Sequence, residues 1–317
     1  MRVVTFKERF SISVLTGFFA FMLFRITCFI LYSLLIACNR FQEVRKDIFD
    51  NGVIAGVLDS KKIDEASGLA ASRVNPGMLW THNDSGDKAR IFLIDSLGRY
   101  QATILLKGFT NRDWEDIAVG PGPEDDKTYV YVGEIGDNSG KYEYKYIYRF
   151  EEPSLTRLDT TVYVDQVDSI KFLMPDGPRD SEGLMIDPLT RDIYIFSKRE
   201  PNVNLYRLAY PQSITELITA EKVLEELPFT LIVAADWSAD GQEILIKNYE
   251  QVFYWRKKNT QSLIDLLQAQ PSILPYHEEP QGESIAFDIY GRGYYTLSEE
   301  AKGVKPALMF YKRIDNQ

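Results

Sequence analysis

The feature that most constrains this chain is a segment type that recurs five times along it. "EASGLAAS" begins at Glu65, "WEDIAVG" at Trp114, "DSEGLMID" at Asp180, "AADWSAD" at Ala234 and "GESIAFD" at Gly282. Each is followed by a run rich in aromatic and β-branched residues that ends in a polar turn cluster, such as "MLWTHNDSG" or "DIYIFSKREPN". Aligned on the apolar step, Ser67, Glu115, Glu182, Ala235 and Glu283 fall in one column, spaced 48, 67, 53 and 48 residues apart. A repeat of this period, with room for about four short strands, is the signature of a propeller blade. The chain therefore reads as all-β, a β-propeller of five blades; a sixth would have to hide in the 67-residue interval. The last repeat reaches the C-terminus after about three strands, so "GVIAGVL" at residues 52–58 is expected to close the final blade. Only "SLIDLLQ" near residue 262 and "SITELITAEKVLEEL" near 213 could be helices.

With 317 residues, 45% of them hydrophobic, the chain can bury one large core. A net charge of −10 and the absence of a basic stripe along the sequence exclude nucleic acid as the partner, because phosphate binding takes clustered Lys and Arg.

The N-terminus carries targeting information and stands outside the fold argument. Residues 10–37 are nearly all apolar, preceded by Lys7 and Arg9 and interrupted by Arg25. At the centre of a spanning helix Arg25 would cost roughly 2.5–3.5 kcal/mol on insertion scales. Translation from Met22 removes the conflict, making "MLFR" the positive region and "ITCFILYSLLIA" the apolar region of a signal peptide. The closing Leu35-Ile36-Ala37-Cys38 resembles the lipobox of bacterial lipoproteins, which implies cleavage before Cys38 and lipidation of that residue. The other reading is an uncleaved anchor helix. Both place the domain outside the cytoplasm and attached to a membrane of the bacterial cell envelope. The organisation expected is 1–37 signal or anchor, 38–51 lipidated cysteine and tether, and 52–317 propeller. Cleavage removes Arg2, Lys7, Arg9, Arg25 and Glu8, leaving 32 basic against 45 acidic residues and a net charge of −13. It also removes Cys28, so no intrachain disulfide can form and the core, or a metal, must hold the domain.

In a propeller the innermost strands line a central channel, so equivalent positions form a ring. Glu115, Glu182 and Glu283, with Ser67, are expected to face one another there. Carboxylates converging in a partly desolvated channel must raise their pKa values or share a cation. Ca2+ suits them, as a hard ion taking oxygen ligands. Zinc does not, since the chain has two histidines and no free cysteine pair.

The clusters ending the second strand of each blade should lie on the same face. They offer His82, Asp84, Glu134 and Asp137 to hold a metal or activate water, and Lys198 and Arg199, with Arg179, to meet an anion. His277, in "PYHEEPQG", lies in a loop, and "HEEPQ" lacks the second histidine of a zinc-protease helix. No phosphate-cradling Gly-Lys-Ser loop, nucleophile elbow or paired C-x-x-C is present.

The stretches "EASGL" around Ser67, "WEDIAV" with the later "YVGEIG", "DSEGLMIDPLTRDIYIFSKR" and "GESIAFD" together resemble the calcium-activated apyrases. That resemblance implies a five-bladed propeller whose channel side chains surround one Ca2+. Ala235 stands where that family places a serine, so a ligand is missing or replaced by water or Asp236. The chain also resembles uncharacterised secreted bacterial propellers and, more loosely, the SdiA-regulated and esterase-like phytase groups. Such likeness implies fold and metal more than reaction. Two functions follow: a surface module binding a small anionic ligand or a protein partner, fastened by calcium, or a calcium-dependent hydrolase of a phosphate ester or nucleotide.

Overall fold

Strand β1 (Val53–Val57) comes first in the chain and last in the architecture. The computed structural model describes residues 43–157, 160–258, 261–300, 303 and 305–314; the apolar segment 10–37 and Cys38 lie outside the described residues. Val44–Gln317 form one compact unit. Its first blade is built from β2 (Ala66–Ala71), β3 (Met78–Asn83), β4 (Lys88–Asp95) and β5 (Tyr100–Thr110). The second starts with β6 (Trp114–Pro121), β7 (Thr128–Glu134) and β8 (Lys145–Glu151). The chain then crosses back to lay β9 (Thr160–Val164) parallel to β5, and returns to complete the second blade with β10 (Asp168–Leu173). The third blade is β11 (Ser181–Ile186), β12 (Ile193–Ser197) and β13 (Val203–Leu208), with β14 (Ile218–Thr219) lent to β10 before β15 (Glu221–Leu227) closes it. The fourth holds β16 (Ile232–Trp237), β17 (Glu243–Asn248), β18 (Val252–Arg256) and β19 (Ser272–Leu274). The fifth holds β20 (Gly282–Phe287), β21 (Gly293–Ser298) and β22 (Ala307–Lys312), and β1 is its outer strand, Val53 pairing with Phe310.

The innermost strands β2, β6, β11, β16 and β20 neighbour one another in that order, and β20 returns to β2. The ring is therefore closed with five blades, and the pairing of β1 with β22 closes it as the sequence suggests. No sixth blade hides in the long interval. Its extra residues form the β9 excursion, which ties the first blade to the second. Because each blade is covered by neighbours on both faces, the inner strands read as nearly unbroken apolar runs; all six residues of β11 and of β20 are buried. Five buried clusters, all within Val44–Gln317, fill the spaces between blades.

Two expectations are corrected. "SLIDLLQ" is helical, as α1 (Leu263–Gln268) capped by Ser262, but the stretch near 213–227 is β14 and β15. Leu224 and Leu227 are spaced like neighbours on a helix face. A bulge lets both pair inward, Leu224 with Leu205 and Leu227 with Val203, and Glu226 adopts φ 53° to make it. The polar stretch expected to be a free tether is packed from Val44 on: Arg45 N–H donates to Ile273 O at 2.7 Å, and Phe49 is wholly buried. Among the described residues no helix is long and apolar enough to cross a membrane.

Candidate functional site

Every inner strand begins with the same irregularity. Its ladder with the next strand skips one residue, and those residues are Ser67, Glu115, Glu182, Val233 and Glu283. A bulge leaves its extra residue outside the ladder and re-aims the side chain. The fourth member is thus Val233 and not Ala235, which pairs regularly with Ile246 two residues further along. An apolar residue fills that place, so the ring of polar bulge residues has a gap at the fourth blade.

Two more tiers of side chains meet the bulge residues. Asp113 and Asp180 stand two positions before Glu115 and Glu182, and the two-residue period of an extended chain brings each to the side of its glutamate. One carboxylate oxygen each from Asp84, Asp113 and Glu115 lie within 4.8 Å of one another, and so do those of Glu115, Asp180 and Glu182. Glu115 belongs to both groups. Just past the second strands, Asp84, Lys198 and Glu299 take equivalent places. Their N–H groups donate to Glu65 O at 2.8 Å, Asp180 O at 3.1 Å and Gln281 O at 3.0 Å. Asp84 and Asp113 are half-buried and form the outer lip; Glu115, Asp180 and Glu182 lie beneath them, buried.

Burial, followed by repulsion from Glu182, Asp84 and Asp113, pushes the Glu115 carboxyl well up. Burial also raises Glu182 despite the Lys198 ammonium in contact with it. The Asp84 carboxyl is pushed up to about 6 by burial and then by Glu283 and Asp113, and Glu299 to about 9 by burial and Glu283. Burial lowers the Lys198 ammonium, but Glu182, Tyr249 and Glu283 hold it above its ordinary value. Its ammonium touches Glu182, lies 3.8 Å from Glu283 Oε1 and donates to Tyr249 Oη at 3.0 Å; Tyr249 in turn donates to Glu283. One half of the acidic ring is thus bridged by a lysine. In the other half, around Glu115, no Lys or Arg among the described residues lies within ion-pairing distance of that carboxylate.

The sequence candidates divide accordingly. Asp84 and Lys198 are in the site, and Arg199 closes its side, Nε 2.5 Å from Asp180 Oδ2. Asp137 contributes its backbone: its N–H donates to Asp180 Oδ1 at 2.8 Å, while its carboxylate accepts from Lys141 N and Tyr142 N in a turn. Glu134 accepts from Arg112 N at 3.3 Å, within the second blade. His82 is fully enclosed, Nδ1 2.9 Å from Asn83 O and its ring edge-on to Trp114. Burial lowers it to about 4, so at neutral pH it is an uncharged core residue. The Ser67 hydroxyl donates to Glu115 O at 2.7 Å, fastening the first blade to the second. Asp113 and Asp180 were not among the sequence candidates, although the Asp-x-Glu pattern repeated in consecutive blades signals them.

The donor set around Glu115 is all carboxylate oxygen, the chemistry of a hard divalent cation. Gly136 marks the space these oxygens need: a Cβ there would collide with Glu115 Oε1 and with the Asp113 carboxylate. The residues present therefore suit a metal ion in composition, Asp84, Asp113 and Glu115 forming one group that could hold it and Glu115, Asp180 and Glu182 the other.

No protein-family model matches the chain. No curated protein matches it. Solved structures similar to it include the PQQ-bound aldose sugar dehydrogenase of Streptomyces coelicolor, at 14% identity, covering 83% of this chain and 99% of that one with a TM-score of 0.43. The RRP9 WD40 repeats match at 10% identity over 78% of this chain and 79% of theirs, with a TM-score of 0.39. The Dos1 propeller matches at 13% identity over 78% and 68%, with a TM-score of 0.35.

Proposed function

We propose that the chain is a membrane-tethered, extracytoplasmic propeller that holds Ca2+ at the mouth of its channel and acts as a surface binding module. The observation that carries this reading is the position of Glu115, a buried carboxylate shared by two acidic groups and within ion-pairing distance of no Lys or Arg among the described residues. Bound Ca2+ would supply the charge that lets these carboxylates ionise, and would join the first three blades through their loops. Asp84 and Asp113 at the lip are where a ligand or partner would meet it. The likeness of the "WEDIAV" and "DSEGLMID" stretches to calcium-activated apyrases points the same way, as does the lipobox for the location. The test is the unfolding midpoint of residues 39–317 in EDTA and across a Ca2+ titration. A saturable rise supports the reading, and no shift overturns it.

One observation favours a second reading, hydrolysis of an anionic ester. Arg199 is half exposed beside Asp180, and burial pushes the Asp84 carboxyl at the lip up to about 6, so an anion-binding and a proton-transferring group stand together. Calcium-dependent release of phosphate from nucleotides or aryl phosphates, lost in Asp84→Asn, is the result it requires.

A further inference from the structure

Basic residues stand next to one another at five places after Cys38: Arg45-Lys46, Lys61-Lys62, Lys198-Arg199, Arg256-Lys257-Lys258 and Lys312-Arg313. Three of the five meet in space. Arg45, Arg256, Lys258 and Arg313 line one cleft of about 670 Å3 on the outer rim of the fourth blade, over the buried rings of Tyr254 and Trp255. Arg313 is engaged by Glu243 through two nitrogens, at 3.0 and 2.6 Å, and Arg45 by Asp47. Arg256 and Lys258 are exposed, and among the described residues no carboxylate lies within ion-pairing distance of either. In a chain of net charge −10, two exposed cations with no carboxylate partner among the described residues, Arg256 and Lys258, thus stand beside two paired ones at this rim.

The N-terminal chain joins the body at this same place. Arg45 N–H bonds to Ile273 O in β19, so the backbone enters the fold at the edge of the cleft. Cys38 is seven residues earlier, a covalent reach of at most about 25 Å. We infer that this cleft is a docking surface for the anionic headgroups of the membrane to which the chain is tethered, Arg256 and Lys258 meeting lipid phosphates. The inference rests on the tether reading for its location. Charge complementarity makes the case: the acidic remainder of the domain is repelled by an anionic bilayer, so electrostatics turns this rim inward. The tether holds the chain to the bilayer in either form, and the basic patch orients the fourth blade toward the lipid.

The test uses residues 39–317, which contain the closed ring and every core cluster but no lipidation, mixed with vesicles of phosphatidylcholine alone or with phosphatidylglycerol added. Cosedimentation with the anionic vesicles only, lost at high salt, is expected. Arg256→Glu with Lys258→Glu should lower the partition constant by at least roughly fivefold per residue, while Lys61→Glu with Lys62→Glu leaves it nearly unchanged. Both variants alter exposed side chains, and a circular dichroism melt establishes that they fold. Equal partition of wild type and the Arg256/Lys258 variant overturns the inference. So does a response to inorganic phosphate without vesicle binding, which would make the cleft a site for a free anion. Acyl labelling of the full chain against Cys38→Ser reads the tether separately, so failure of that reading and failure of the docking surface give different results.

Discussion

The carboxylate of Asp116 accepts a hydrogen bond from the backbone N–H of Leu184, 2.9 Å away in the next blade. The same oxygen is 3.3 Å from Ala235 N, two blades on, and the other accepts from Ile117 N at 2.9 Å. Glu115 and Asp116 are adjacent carboxylates with different tasks, because the bulge turns the first to the channel mouth and leaves the second in the ladder, pinning three inner strands. Asp116→Asn keeps size but faces N–H donors with an amide. It should lower unfolding free energy by about 1–3 kcal/mol, the cost of a buried donor left unpaired. Urea unfolding at fixed pH checks this, and an unchanged midpoint would refute the pinning role.

Glu115 should be the residue on which metal response depends. In Glu115→Gln the amide copies the protonated acid, so stability in EDTA should equal or exceed that of wild type. Wild type should gain about 2.7 kcal/mol when free Ca2+ is a hundred times its Kd. The variant should gain little at the same concentration, as read by differential scanning fluorimetry. Ser67→Ala is the contrast: it removes the tie to Glu115 O and should weaken the fold without abolishing the calcium response.

The pH dependence of stability should flatten with calcium. Asp84, Asp236 and Glu299 have folded-state pKa values raised to about 6, 7 and 9, chiefly by burial, and Glu115, Glu182 and Asp116 are also raised. Between the ordinary carboxyl range and these values the native state holds more protons than the unfolded state, so its stability is fullest in acid and falls as pH rises. His82, lowered to about 4, acts oppositely below about 6.5 but is one group against six. In EDTA the melting temperature should therefore fall from about pH 5 to pH 7. With saturating Ca2+ the ligands Asp84, Glu115 and Glu182 are ionised in the native state, so their share of the fall disappears and the melting temperature should fall less steeply over the same range. A rise in EDTA would show that the acidic cluster does not govern the profile.

The architecture was legible because all five blades repeat one local problem: an inner strand buried on both faces, followed by an aromatic strand and a polar turn. Glu115, Glu182 and Glu283 align in sequence for the same reason that they converge in space. The fourth blade did not align, because "LIVAADW" offers no acid at the bulge, and the eye settles on Ala235 beside Asp236 when the ladder sets Val233 there. Asp236 lies deeper, accepting from Phe287 N at 2.7 Å, a tie between blades. In sequence Lys198 reads as a group for an external anion. Only the fold shows that its ammonium lies between Glu182 and Glu283, since those residues come together from blades distant in sequence. Likewise no linear pattern brings Arg45, Arg256 and Arg313 to one cleft.

Lys198 divides the ring into a half already neutralised by the protein and a half that is not, and its removal should separate the two. Lys198→Met leaves Glu182 and Glu283 buried without their cation, which should cost about 3–5 kcal/mol in EDTA, as expected for breaking a buried ion pair. Calcium then has one more carboxylate to neutralise, since Glu182 no longer shares its charge with an ammonium. The calcium-induced rise in melting temperature should thus be larger in the variant than in wild type, even though the variant starts lower. An equal or smaller rise would place the cation wholly on the Asp84, Asp113 and Glu115 side, beyond the reach of Glu182.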